Sequence, residues 1–381
     1  MHTYHDAVQN VLDYYNADPS AEAERYARNA VLAAYREVPN TKRWSYYLTR
    51  GRLNTVASYT TGTVVFDLTG GANERQLTLT TGTWPSWAAL GTVRISNVEY
   101  DVASRISDSI VTLSELSTPP ADIASSSYTL YRDTYPMPTD FVAAGELVAL
   151  GHGPLKYHHP DDWVKAQRSA AGPGQPYFYT FKSDPNYFGA IAVSFFPGPD
   201  AAYEIDYIYQ RHPRTITTLD YNTGTATTSA ASATVTGSGT AWASSMVGTV
   251  IRFSEDALNT PTGPGGLSPS IVERVVSAVG SATSLTLDAV AGATLSGVRY
   301  RMSDPIDIEA GAMLSFFQRE CERQGRLARR MESTKDEMFA YTEARALALE
   351  GDARDFSRRA VGDPYAYRQR LADMPRGPDI S

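Results

Sequence analysis

Thr81-Gly82-Thr83-Trp84-Pro85-Ser86-Trp87, followed by Gly91-Thr92-Val93-Arg94-Ile95-Ser96, is written a second time as Ser238-Gly239-Thr240-Ala241-Trp242-Ala243-Ser244 and Gly248-Thr249-Val250-Ile251-Arg252-Phe253-Ser254. The matched order extends outward from both stretches. Thr61-Gly62-Thr63 precedes the first copy and Thr223-Gly224-Thr225 the second. Val111-Thr112-Leu113 and Tyr128-Thr129-Leu130-Tyr131-Arg132-Asp133 close the first, as Leu285-Thr286-Leu287 and Tyr300-Arg301-Met302-Ser303-Asp304 close the second. Short runs of Thr, Val, Tyr and Ile cut by Gly, Asn, Asp and Ser spell β-structure. Each copy, about seventy to eighty residues, suits one small sandwich or barrel-like module. Two copies are too few for a solenoid, so the repeat reads as two inserted, mutually related all-β modules, at 58–133 and 222–303. Trp84, Trp87 and Trp242 stand at matched places. That placement suits closure of a module core better than a sugar-stacking platform, because aromatic rings carry large buried area.

The flanks read differently. Asp18-Pro19-Ser20 with Glu22 and Glu24 is a helix-start signal, and Ala23, Ala27, Ala30, Ala34 and Val38 then recur every three or four residues as a narrow apolar stripe. Pro39-Asn40 ends it. Beyond Asp304-Pro305, Asp307 precedes a helix with Met313, Phe317, Cys321, Ala328 and Met331 on one face. A further helix opens near Ser333-Thr334 and runs towards Phe356. Between these, Ala190 to Phe196, the turn Pro197-Gly198-Pro199-Asp200, and Tyr203, Ile205, Tyr207 and Tyr209 in period two predict a hairpin. The expected class is α+β: a helical framework of N-terminal helices plus two long C-terminal helices, with a β-hairpin region and the two modules. The helical/β core, framework and hairpin region together, takes 1–57, 134–221 and 304–360, and the proline-bearing 361–381 forms an extended C-terminal arm.

Composition narrows the function classes. The 381-residue chain carries a formal charge of −8, which argues against wrapping nucleic acid, since neutralising phosphates takes clustered Lys and Arg. Its single cysteine, Cys321, can supply neither an intramolecular disulfide nor a cysteine-based zinc cage, and reads as a small buried apolar residue. Twenty-four tyrosines suit a subunit that assembles. The first residues lack the basic and apolar regions of a signal peptide, and no apolar run approaches the ~20 residues of a bilayer span. A soluble protein made in a reducing cytoplasm is expected.

No motif commits the chain to catalysis. His158-His159 near Asp161-Asp162 is the best local cluster, but no further His or Cys lies close by, so it reads as a loop and a helix cap. Glu99 and Asp101 share one strand face, whereas glycosidase carboxylates flank the scissile bond. Gly70-Gly71 and Gly263-Pro264-Gly265-Gly266 lack the Lys and Ser or Thr of a phosphate loop. Neither a Gly-x-Ser-x-Gly elbow nor a His-Glu-x-x-His motif occurs. No catalytic, metal or cofactor site is expected. Arg326, Arg329 and Arg330 form the densest basic cluster, by default a solvated helix face and otherwise a channel-lining or inter-subunit one.

Tyr135-Pro136-Met137-Pro138-Thr139-Asp140-Phe141, the stretch from Phe196-Pro197-Gly198-Pro199-Asp200 through Tyr207-Ile208-Tyr209-Gln210-Arg211-His212-Pro213, and the Gly-Thr-rich modules carry a resemblance. In their order of helix, β-region, two helices and arm, they resemble the head-to-tail adaptor (connector) subunits of short-tailed bacteriophages. The resemblance implies a non-enzymatic virion protein of the neck, assembled in the host cytoplasm. About a dozen copies would form a ring under the portal protein through heterologous contacts. Such a ring extends the channel for double-stranded DNA without reading its sequence, and offers a platform to tail nozzle, tube or fibre proteins, with no membrane partner. The arm would dock on the portal through Pro364, Tyr365, Tyr367, Arg368 and Leu371. Another tail component, or a glycan-binding or glycan-cleaving tail protein, is the alternative.

Overall fold

The repeated sequence folds into one strand order used twice. A computed structural model describes residues 1–15, 20–68, 74–167, 172–184, 186, 189–262, 268–329 and 334–361. The chain separates into two compact units, one of Met1–Tyr46 with Pro213–Ser381 and one of Tyr47–His212.

In the first module the sheet runs Ile123–Ser126, Val64–Asp67, Gln76–Leu79, Ile110–Leu113, Val98–Arg105, Thr92–Ile95, Tyr128–Tyr131. The second runs Leu295–Val298, Thr225–Thr228, Thr234–Ser238, Ser284–Leu287, Val272–Ser281, Val250–Phe253, Tyr300–Ser303, with Asp220–Tyr221 added at the margin. The two orders correspond strand for strand. The first and last strands of each sheet are joined by one residue, Ser127 or Arg299, so each sheet curls until its margins approach. The long strands supply the bend: register slips between Val102 and Ser104 in one, and between Val276 and Ala278 and again between Val279 and Ser281 in the other. An extra residue on one strand kinks it and raises its twist. Gly62 and Gly224 occupy matched turns at φ +82 and +85, a conformation that suits glycine. A side chain at Gly224 would also meet the Ser238 carbonyl at 2.5 Å.

The remainder of the 47–212 unit is two four-stranded sheets over one core. One runs Leu48–Asn54, Glu204–Arg211, Phe141–Ala149, Gly153–Pro154; the other runs Lys156–Tyr157, Phe178–Ser183, Ile191–Phe196, Thr134–Pro136. Tyr135, Phe141, Leu147, Phe195, Ile205, Tyr207 and Tyr209 meet between them. The expected hairpin is therefore corrected. Ile191–Phe196 pairs with Phe178–Ser183, while Glu204–Arg211 pairs with Leu48–Asn54 and Phe141–Ala149. Pro197 and Pro199 have no N–H to continue a ladder, and the chain crosses here from one sheet to the other. The period-two reading of Ile205, Tyr207 and Tyr209 does mark the inward face.

The expected helical framework is also overturned. Among the described residues, twenty-three strands in four sheets stand against five helices: α1 (Tyr4–Tyr14), α2 (Ala21–Glu37), α3 (Pro160–Gln167), α4 (Ala312–Arg329) and α5 (Lys335–Val361). The protein is mainly β. Residues 48–54 and much of 134–211 within the expected core are strands.

In the unit containing the second module, α4 packs against both α2 and α5, and α1 packs on α2 and α4. Ala23, Ala27, Ala30, Ala34 and Val38 are all buried, since small side chains permit close helix approach. Gly325 serves the same end on α4: a Cβ there would sit 2.9 Å from the Tyr15 ring. Thr334 and Glu337 form a reciprocal cap at the start of α5, Thr334 N–H donating to the Glu337 carboxylate at 2.7 Å and Glu337 N–H to Thr334 Oγ1 at 3.3 Å. The buried face of α4 continues from Cys321 to Gly325 and Arg326, leaving Ala328 exposed.

Candidate functional site

Two members of the basic cluster read from the sequence, Arg326 and Arg329, lie on α4 and are engaged within the helical layer. Arg326 is buried, donates to the Tyr14 hydroxyl, pairs with Glu337 and stacks 5.3 Å from the Tyr14 ring centre. Arg329 lies 4.9 Å from the Tyr15 ring centre. Arg330 lies outside the described residues, as do Pro364, Tyr365, Tyr367, Arg368 and Leu371. Arg323, not singled out in the sequence, bonds Glu320 Oε2 at 2.8 Å and Glu37 at 3.1 Å and stands over Tyr341. These arginines tie α4 to α1, α2 and α5. Cys321 sits beneath them, buried, its thiol pushed well above the usual range by burial and by the carboxylates of Glu320 and Glu322. Such a thiol is inert.

The tryptophans close the modules. Trp84 and Trp242 are 1% and 4% exposed within the two cores, and Trp87 packs half-buried against the first. The surroundings repeat as well. Trp84 meets Tyr128 edge-on at 5.1 Å, and Trp242 meets Tyr300 at 5.8 Å. The Tyr128 hydroxyl donates to the Thr61 carbonyl at 2.8 Å, and the Tyr300 hydroxyl to the Thr223 carbonyl at 2.6 Å. One difference separates the copies: Trp242 Nε1 donates to the Tyr300 hydroxyl at 3.0 Å, whereas Trp84 Nε1 is buried without a partner among the described residues.

A charged seam joins α1 to the second module. Arg252, on the strand Val250–Phe253, donates to Asp6 Oδ1 at 2.6 Å and Oδ2 at 2.8 Å and to Glu273 at 2.8 Å. Burial pushes the Asp6 carboxyl upward, but the Arg252 hydrogen bonds and charge outweigh it and hold Asp6 below the usual carboxylate range. Beside this pair, His5 Nδ1 lies 3.0 Å from Asp220 and 2.8 Å from Arg301, which itself bonds Asp220 at 2.8 Å. The matched arginine of the first module, Arg94, bonds Asn97 at 3.1 Å.

The 47–212 unit carries a polar cleft of about 440 Å³, lined by Asp101, Arg132, Asp133, Thr134, Lys182 and Asp184 among others. Burial raises the Asp133 carboxyl, with Lys182 and the Thr134 hydroxyl pulling the other way. Thr134 Oγ1 donates to Asp133 at 2.9 Å, and Asp184 accepts the Asn186 N–H at 2.8 Å. A carboxyl raised on folding lowers stability as pH climbs from the ordinary carboxylate range through its raised value. Asp133→Asn should abolish that loss and raise the neutral-pH melting temperature by ~2–4 °C. An unchanged pH profile in differential scanning fluorimetry would place the strain elsewhere. The other sequence candidates do not join this cleft as a catalytic set. Glu99 is exposed, and His159 pairs at 3.2 Å with Asp161 at the start of α3, both side chains largely exposed. Among the described residues no group of three or more His, Cys, Asp or Glu could hold a metal ion, and no helix is long and apolar enough to cross a membrane.

What the helical layer leaves uncovered is one face of α5. Tyr341, Ala344 and Ala348 turn inward or sit at the margin, while Phe339 is 68% and Leu347 56% exposed, with Met338 beside them at 47%. Phe339, in the second turn of α5, and Leu347 are large apolar side chains left in water on one side of the helix. The local signal was present in the sequence as a helix with apolar residues all round, but which face the protein covers depends on α4. No protein-family model matches the chain, and no curated protein matches it.

Proposed function

We propose that the protein is a structural subunit that assembles into a ring, and specifically a head-to-tail adaptor of a tailed phage. The observation that carries the assembling role is the open apolar face of α5, since a subunit acting alone gains nothing by leaving Phe339 and Leu347 in water. The adaptor assignment rests on the sequence resemblance. In this reading the ring docks under the portal protein, continues the DNA channel and receives tail proteins, and residues 361–381 make the portal contact through Tyr365 and Tyr367.

The test is to mix the purified protein with its cognate portal and image the product. Rings coaxial with the portal are expected; a six-copy ring bound to the distal tail instead would assign a different tail component. Truncation after Ala360 should leave the melting temperature nearly unchanged and weaken portal association about tenfold or more, each tenfold being worth ~1.4 kcal/mol. Unchanged affinity by biolayer interferometry at matched salt would remove the arm from the docking contact.

A further inference from the structure

The open faces of α5 and α2 carry charges of opposite sign at nearly equal spacing. On α5, Asp336, Phe339, Glu343 and Leu347 follow at intervals of three, four and four, so they share one face. All four are exposed. On α2, Arg25, Arg28, Leu32 and Arg36 follow at the same intervals; the three arginines are exposed and Leu32 is half-buried on the side away from the Ala23–Ala34 stripe. Asp336 and Glu343 are about 10.5 Å apart along their helix and Arg28 and Arg36 about 12 Å along theirs, at ~1.5 Å per residue. Among the described residues Arg25 and Arg28 form ion pairs within α2, with Glu22 at 3.8 Å and Glu24 at 3.3 Å, pairs of little worth that a neighbour can replace.

Both helices pack on α4, yet Phe339 and Leu347 stay exposed within one copy, so the α2 face does not cover them there. Two different surfaces that fit each other but do not meet within one copy can be satisfied only by a second. This is the geometry of a head-to-tail contact, which closes into a ring when the rotation between copies permits.

We infer that the occupant of the α5 face is α2 of a second copy of this chain, with Phe339 covering Leu32 while Asp336 and Glu343 meet Arg28 and Arg36. This rests on the ring-forming reading and names its interface.

The experiment uses two full-length variants, Phe339→Asp on α5 and Arg28→Glu/Arg36→Glu on α2, analysed by native mass spectrometry with and without portal. Each variant alone should be monomeric, with a wild-type circular dichroism melt because all three positions are on the surface. An equimolar mixture should give a heterodimer and nothing larger, since each copy retains one intact face and the two intact faces are complementary. A mixture that stays monomeric, or an α2 variant that still forms rings while Phe339→Asp does not, overturns the α2 assignment. Rings formed by both variants overturn the interface and leave the ring reading standing. Wild-type protein that stays monomeric even with portal overturns both.

Discussion

Arg252→Ala is expected to cost the unit containing the second module about 3–5 kcal/mol, the penalty for leaving one partner of a buried ion pair uncompensated. The side chains of Arg252 and Asp6 are 3% and 5% exposed, so the carboxylate left behind has little access to water. The loss should appear as an early transition in urea unfolding followed by far-ultraviolet circular dichroism. Arg252→Met with Asp6→Asn should recover much of it, because removing both charges removes the cause. The pair also sets an acid limit. Asp6 and Asp220 are both held below the usual carboxylate range; in each, burial raises the carboxyl but is outweighed, by Arg252 for Asp6 and by His5 and Arg301 for Asp220. A carboxylate lowered on folding stabilises the fold fully above its unfolded value of ~4 and loses that contribution as pH falls through the lowered folded value. Acid unfolding of this seam should therefore begin below pH ~4. In Arg252→Ala the Asp6 carboxyl loses its restraint, and the midpoint should move to higher pH. A midpoint that does not move would mean the seam is not what acid opens.

How far the sequence could be read divides along the range of the interactions. The two modules were legible because turn glycines, inward Val and Leu residues and a closing tyrosine recur in matched order, and all of these are local. Pairing across sheets was not. Ile205, Tyr207 and Tyr209 state which way they face, but nothing near them states whether Ile191–Phe196 or Leu48–Asn54 is the neighbour. The helical framework failed for a related reason: helical signals at both ends of a chain say little about the long stretch between them, and 134–211 spells short strands with punctuation that also suits coil. Arg252 had one available signal. An arginine stands in the same strand position of both copies, Arg94 and Arg252, amid apolar residues, although its partner Asp6 is 246 residues distant. The α5 face could not be found without knowing which side α4 covers.

The sharpest consequence of the duplicated fold is that equivalent substitutions in the two copies should not cost the same. Trp84→Ala and Trp242→Ala each remove a large core ring and should each destabilise their module by about 3–5 kcal/mol. The phenylalanine variants separate them. Trp242→Phe loses the Nε1 bond to the Tyr300 hydroxyl as well as volume, and a buried hydrogen bond contributes ~0.5–1.5 kcal/mol. Trp84→Phe loses volume but also discards a buried N–H with no partner among the described residues, and an unsatisfied buried donor itself costs ~1–3 kcal/mol. The two volume losses are alike because both rings sit edge-on to a tyrosine at matched depth. Trp242→Phe is therefore expected to be the more damaging by ~1.5–4.5 kcal/mol, read from urea midpoints at constant slope. Tyr300→Phe should narrow that gap, since it removes the acceptor that makes the Trp242 N–H worth having. Equal costs for Trp84→Phe and Trp242→Phe would show that the Nε1–hydroxyl bond adds nothing to the second core, leaving ring volume alone to close both modules.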